Sequence, residues 1–194
     1  MITINQIKQL REETNVSIIE CKKALEKANG NIEEAKKILR EWGQDFIAKK
    51  LKREAKEGIV ETYIHPNKKI GVLVELRCES DFVAKSDDFK KLAHEICLQI
   101  AAMNPLFLKE EDIAKEFLDG ERKIYQSQFK DSGKPEKIIN EIIEGKLKKY
   151  KEEISLLSQS WIKDQTKTIK DVIDDYIRRF GENIILEKFE RYQI

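Results

Sequence analysis

Glycine is scarce in this chain and never clustered: there are eight, and no two lie closer than twelve residues apart. The GxxxxGK[ST] phosphate loop and the GxGxxG dinucleotide turn both need neighbouring glycines, so that backbone N–H groups can face phosphate oxygens. Both motifs are excluded, and no bound nucleotide or other cofactor is expected. Histidine is rarer still. His65 and His94 fall in different segments and form no HxxxH or HExxH pair, and Cys21, Cys78 and Cys97 are far apart and odd in number. Zinc sites need ligands clustered at short spacing, so no metal is expected. The cysteines read as buried, inert side chains in a reducing cytoplasm rather than as a disulfide framework. No apolar run approaches the ~18 residues of a membrane span. The start, Met1-Ile2-Thr3-Ile4-Asn5-Gln6, has neither the basic leader nor the apolar core of a signal peptide. A cytoplasmic protein without a membrane partner is the expectation.

An excess of one charge is missing as well. The 194 residues carry 37 basic and 36 acidic side chains, a net of +1. Proteins that track phosphate backbones usually carry a clear basic surplus, so direct nucleic-acid binding is not expected. No Ser-containing elbow and no local Cys–His signature is visible; only a triad assembled across the fold would escape this reading. An interaction role is therefore expected ahead of an enzymatic one.

What the chain does have is helical periodicity, interrupted once by strands. Apolar residues make up 40%, enough for a modest core, and three prolines with few glycines imply long helices and short connections. Residues 1–43 read as three short helices. Thr3 with Gln6 has capping-box spacing ahead of Ile4, Ile7 and Leu10. Ser17 with Glu20 repeats it ahead of Ile18, Cys21, Ala24, Leu25 and Ala28, and Gly30 ends that helix. Asn31 with Glu34 caps a third stripe through Ile32, Ala35, Ile38, Leu39 and Trp42. Such a bundle buries little and reads as a satellite of a larger body. Residues 44–57 read as a charged helical linker with a solvated face.

The period then changes. Gly58–Ile64 and Ile70–Cys78 alternate as strands around the turn His65-Pro66-Asn67-Lys68-Lys69, a β-hairpin. Helical spacing returns from Ser86 to Met103 through Phe89, Leu92, Ala93, Ile96 and Ile100, and Asn104-Pro105 stops it. Further helices are predicted over 113–130, 135–144, 146–154 and 168–180, with Gly181 suited to a helix end. The apolar tail, 183–194, reads as a third strand. The expected fold is α+β: a three-helix module (1–43), a linker (44–57), and a body (58–194) with a small antiparallel three-stranded sheet packed by helices.

Two stretches resemble the signatures of a known family. The segment Thr14-Asn15-Val16-Ser17-Ile18-Ile19-Glu20-Cys21-Lys22-Lys23-Ala24-Leu25, followed by Ala28-Asn29-Gly30-Asn31, is similar to the amino-terminal signature of elongation factor Ts. The segment Gly71-Val72-Leu73-Val74-Glu75-Leu76, running into Ser80-Asp81-Phe82-Val83-Ala84-Lys85, is similar to that family's core motif, usually TDFVA after a strand. The resemblance continues through Leu156-Leu157-Ser158-Gln159 and Gly181-Glu182-Asn183 and so covers essentially the whole chain. Two departures stand out. Ser80 replaces a usual Thr and keeps the hydroxyl, and Asn15-Val16-Ser17 replaces a usual Gly-Ala-Gly, leaving the capping role of Ser17 intact.

The resemblance implies a ubiquitin-associated-like first module. It also implies a guanine-nucleotide exchange function toward elongation factor Tu, with no catalytic chemistry of the chain's own. In the family, the Asp-Phe pair of the core motif enters the partner's GTPase domain near its magnesium site. Ser80, Asp81, Phe82, Val83 and Lys85 are therefore the expected partner-binding residues of the body. Ile18, Ile19, Lys22 and Lys23 are those of the first module. On a helix, Ile18 and Ile19 point about 100° apart, so at most one can face the module's own core squarely. The short chain matches the single-module type, which the family uses as a homodimer. Two rival readings rest on parts of the chain only. The first module alone suggests a ubiquitin-type adaptor, which the hairpin and the SDFVAK segment oppose. Lys49, Lys50, Lys52, Arg53 and Lys56 suggest ribosome or RNA binding, which the balanced charge opposes.

Overall fold

A computed structural model describes residues 2–130 and 135–194; Met1, and residues 131–134 of the expected 58–194 body, lie outside the described residues. In chain order the elements are α1 (Ile4–Thr14), α2 (Ile18–Lys27), α3 (Ile32–Lys50), β1 (Glu57–Ile64), β2 (Ile70–Cys78), α4 (Asp81–Lys85) and α5 (Asp87–Met103). There follow α6 (Lys115–Phe129), α7 (Glu136–Ile154), β3 (Ser160–Trp161), β4 (Asp164–Thr168), α8 (Ile169–Phe180) and β5 (Ile184–Gln193). The fold is α+β. Contacts group residues 1–98 and 171–194 into one compact unit and residues 99–170 into another.

In the first unit the helices begin largely as their caps require. Gln6 N–H donates to Thr3 Oγ1 at 3.3 Å and Thr3 N–H to Gln6 Oε1 at 2.9 Å, a closed capping box. Asn31 Oδ1 accepts from Glu34 N–H at 3.1 Å. The box expected at Ser17 does not form. Its side chain makes no cap bond, because Ser17 is buried in a tertiary contact. Its N–H donates to the Arg178 carbonyl at 2.9 Å, and a Cβ built on Gly181 would sit 3.1 Å from Ser17 Cβ. Asn15 ends α1 at φ +56°, a left-handed conformation that asparagine tolerates.

Leu10, Cys21, Ala24, Leu25, Ala28, Ala35, Ile38 and Leu39 form the buried core of the three helices. Ile4 and Ile18 complete the expected stripes in sequence but lie exposed, since each sits in the first turn, beyond the edge of that small core. No helix boundary falls at residue 43: α3 runs unbroken to Lys50.

The sheet is antiparallel in the order β1-β2-β5. Register places Glu61, Val74 and Phe189 abreast, and likewise Ile59, Leu76 and Leu186. Alternation then decides which face is buried. Val72, Val74, Leu76, Cys78, Ile184 and Leu186 are covered, and Tyr63 of β1 packs edge-on against His94 of α5, ring centres 5.9 Å apart. Helix α5 buries Phe89, Leu92, Ala93, Ile96 and Ile100, the spacing anticipated from sequence, and Cys97 with them. The opposite face of the sheet leaves Val60, Ile64, Leu73 and Tyr192 exposed.

The second unit carries an α6–α7 hairpin. Phe117 stacks on Tyr150 with planes 5° apart and meets Phe107 edge-on. The two helices expected at 135–144 and 146–154 are one. Gly145 does not break it, since a mid-helix glycine costs only ~1 kcal/mol. The small β3–β4 hairpin carried no periodic signal. Its start is pinned by the buried Gln99, whose Nε2 donates to Gln159 Oε1 and to the Ser160 carbonyl, both at 3.1 Å, and whose Oε1 accepts from Ile162 N–H at 2.9 Å.

Candidate functional site: an exposed phenylalanine on a capped turn of helix

Residues 81–85, which have too few apolar positions to show a period, form the short helix α4. Ser80 starts it, its Oγ accepting from Val83 N–H at 3.4 Å. Ser86 ends it, donating its hydroxyl to the Val83 carbonyl at 2.7 Å while accepting from Phe89 N–H at 3.3 Å. Two serines therefore bracket a single turn of helix and join it to α5. Ala84 is buried and anchors the turn. Phe82 lies two residues earlier, about 200° around the helix, and is consequently thrown outward, 84% exposed. Val83 and Asp81 are half-buried, and Lys85 is exposed.

Asp81 and Lys85 face each other one turn apart, Nζ to Oδ2 at 2.6 Å. The hydrogen bond from Lys85 holds the Asp81 carboxyl below its ordinary range, and the same bond holds the Lys85 ammonium above its own.

The first module presents Ile18, 53% exposed, and Ile19, 66% exposed, on the first turn of α2. Ile19 points away from the module's core, while Ile18 shares the stripe of Cys21 and Leu25 but lies beyond the core's edge. Lys23 pairs with Glu20 at 2.9 Å and Lys22 with Glu26 at 3.9 Å. Ile19 and Lys23 line a groove of about 700 Å³ together with Phe46, Lys50, Glu79 and Glu182. Phe82, Asp81, Val83 and Lys85 are not among its lining residues. Of the expected contact residues, the groove therefore holds Ile19 and Lys23 alone. Burial lowers the Lys50 ammonium below its usual range, and the nearby Arg53 charge adds to this; Lys50 donates to the Gly181 carbonyl.

Glu79, Glu182 and Asn183 carry the loop beneath α4, and periodicity gave no sign of them. Glu182 accepts from Ser80 twice, from Oγ at 2.6 Å and from N–H at 3.0 Å. Asn183 N–H donates to Glu79 Oε1 at 2.6 Å. The one available signal was the Gly181-Glu182-Asn183 triplet. All three cysteines are buried and unpaired. Among the described residues, no group of three or more His, Cys, Asp or Glu side chains is arranged to hold a metal ion. Nor, among them, is any helix long and apolar enough to cross a membrane.

Fold and site together define an α+β protein that presents exposed apolar side chains on the first turn of α2 and on the serine-capped turn α4, an arrangement suited to contact with another macromolecule. Residues 3–194 match the family model described as Elongation factor TS. Elongation factor Ts of Thermosipho melanesiensis is 47% identical over 194 residues, covering 100% of this chain and 99% of that relative. The protein of that name from Thermotoga maritima is 48% identical over 193 residues, covering 100% and 96%. In Thermodesulfovibrio yellowstonii the figures are 48%, 100% and 96%. The chain belongs to the elongation factor Ts family.

Proposed function

We propose that this chain is a guanine-nucleotide exchange factor that releases GDP from elongation factor Tu during translation, working by contact and performing no catalysis of its own. The observation that carries the reading is Phe82, a large apolar side chain held outward on a capped turn within the SDFVAK segment of a chain that matches the family model over residues 3–194. Magnesium in a GTPase site bridges nucleotide phosphates and protein oxygens and tolerates little departure from octahedral geometry. A phenyl wedge that displaces those supports weakens the nucleotide, and Asp81 and Lys85 offer charges that compete for the freed partners. Exchange is reciprocal: the factor weakens GDP by the same ratio as GDP weakens the factor. A thousandfold acceleration corresponds to roughly 4 kcal/mol. Burying one phenyl ring supplies about 2–3 kcal/mol of that, and a hydrogen bond to a charged group supplies about 1.5–3 kcal/mol.

In this reading residues 1–43 grip the partner through Ile18, Ile19, Lys22 and Lys23, residues 44–57 connect, and the 58–194 body delivers Ser80, Asp81, Phe82, Val83 and Lys85. The working form is a cytoplasmic homodimer with no direct nucleic-acid or membrane partner. A dimer needs a surface to join it, and the closing strand β5 contributes to one. Of that strand, Ile184 and Leu186 are buried within the fold, while Tyr192 remains exposed beside Ile64 and Leu73 on the outer face of the sheet. An exposed apolar sheet face of this kind suits a two-fold partner. The deciding experiment is release of fluorescent GDP from purified elongation factor Tu with and without this chain. Acceleration is expected, and an unchanged release rate overturns the proposal.

A further inference from the structure

Helix α4 is a single turn of five residues. Helix formation is cooperative with a costly nucleus, so a turn this short does not hold itself. Phe82 is too exposed for packing to fix its direction. Its orientation must come from the backbone beneath it, and that backbone starts at Ser80. Both donors of Ser80 end on one carboxylate: Oγ–H on Glu182 Oε1 at 2.6 Å and N–H on Glu182 Oε2 at 3.0 Å. Hydrogen bonds to an ionised acceptor are short and about twice as strong as neutral ones. The residue before Ser80 is held by the same segment, with Asn183 N–H donating to Glu79 Oε1 at 2.6 Å. Glu79 Oε2 pairs with Arg53 at 3.2 Å, and Asn183 Nδ2 donates to the Arg53 carbonyl at 2.7 Å. The clamp is thus fixed at both ends, on the strand and on the segment leaving α3.

We infer that Glu182 is a positioning residue for exchange: its carboxylate fixes Ser80, and through it aims the Phe82 ring at the partner. The inference rests on the reading of Phe82 as the wedge. A carboxylate that engages both donors of the capping residue holds the turn in its working direction before the partner arrives. The wedge then spends its binding energy on the open nucleotide site rather than on ordering itself.

The test uses the full chain and elongation factor Tu loaded with fluorescent GDP, comparing wild type, Glu182→Ala, Phe82→Ala and the double variant. Glu182→Ala is expected to lower the maximal release rate about tenfold while changing the half-saturating concentration by less than about threefold. The double variant should release GDP within about twofold of Phe82→Ala, since one residue acts through the other. Amide hydrogen exchange over residues 80–85 should speed up in Glu182→Ala and stay at wild-type values in Phe82→Ala. If Glu182→Ala does not fold, Glu182→Gln keeps the side chain's shape, removes the charge that holds both donors of Ser80 and carries the same comparison. Multiplying rather than overlapping losses in the double variant overturn the inference. Wild-type rates for Glu182→Ala beside an impaired Phe82→Ala overturn the positioning role alone. Wild-type rates for Phe82→Ala remove the wedge reading and the inference with it.

Discussion

Lys85 Nζ sits 2.6 Å from Asp81 Oδ2, so the two charges of the core motif are satisfied by each other in the free protein. An exposed pair one helical turn apart contributes little to stability. Opening it for a partner is correspondingly cheap. The ring of Phe82 is 84% exposed, and the free protein thus presents it uncovered beside a charge pair that is easily opened.

The first prediction follows from that exposure. Phe82→Ala should cut exchange at least about tenfold and weaken complex formation less. Its melting temperature should stay near wild type, because surface truncations usually fall within about 0.5 kcal/mol, not the ~3–5 kcal/mol of a buried phenylalanine. Thermal melts beside GDP-release assays separate the two effects. A low-melting variant with normal exchange per folded molecule would retire the wedge.

Ile19→Asp should weaken association with elongation factor Tu by about 10- to 100-fold, the worth of one buried aliphatic side chain converted to affinity. Ile19 is exposed and the core of its module lies on the other side of α2, so far-UV circular dichroism should not change. Titration calorimetry reads the affinity; equal values for variant and wild type count against the contact.

Sedimentation at micromolar concentration should give twice the 22.8 kDa chain mass. Leu73→Asp or Tyr192→Asp on the outer sheet face should shift it to the single-chain value without unfolding. Single-chain mass for the wild type across that range means the sheet face is not an interface between copies.

Gly58→Ala should destabilise the body by on the order of 2–3 kcal/mol. A Cβ at Gly58 would lie 2.3 Å from the Leu76 carbonyl oxygen and 2.9 Å from Arg77 Cα, so backbone on one of two paired strands must move. Urea denaturation measures the loss, and a midpoint equal to wild type would show that the strands separate freely there.

Burial pushes the Cys78 thiol from an ordinary 9.0 to about 11, with the Glu182 charge adding to it. Burial likewise pushes the Cys97 thiol to about 12. An acid whose folded pKa is raised keeps the folded state stable below the unfolded pKa and withdraws that stability as pH rises toward the folded pKa. Urea midpoints should therefore fall from about pH 9 to about pH 11, and Cys97→Ala should flatten the fall. Thiol reagents at about pH 8 should label neither cysteine until the chain unfolds, because only the thiolate reacts. An identical alkaline slope with and without Cys97 would refute this account.

The stripes of α2, α3 and α5, the hairpin around Pro66 and the closing strand were legible because each repeats a local spacing. Apolar residues every three or four positions can only share a helix face, and every second position a sheet face. The proposed contact residues came from motif resemblance, and the full exposure of Phe82 among them was not legible. Ile18 continues its stripe in sequence yet lies outside the core, because a small bundle ends before its first turn does.

Local pattern by itself determined where α1, α2, α5, α8 and the three strands of the main sheet lie, that the sheet buries one face, and that Thr3 and Asn31 begin helices. Tertiary structure alone decided that Ser17 gives its backbone to Arg178 instead of capping α2 with its side chain, and that Glu182 takes hold of Ser80. The physical reason is range. Caps and periodic faces join residues at most about four positions apart, which the chain's own geometry brings together. Ser80 and Glu182 are 102 positions apart, and only the return of the chain, by way of α8 into β5, places one beneath the other.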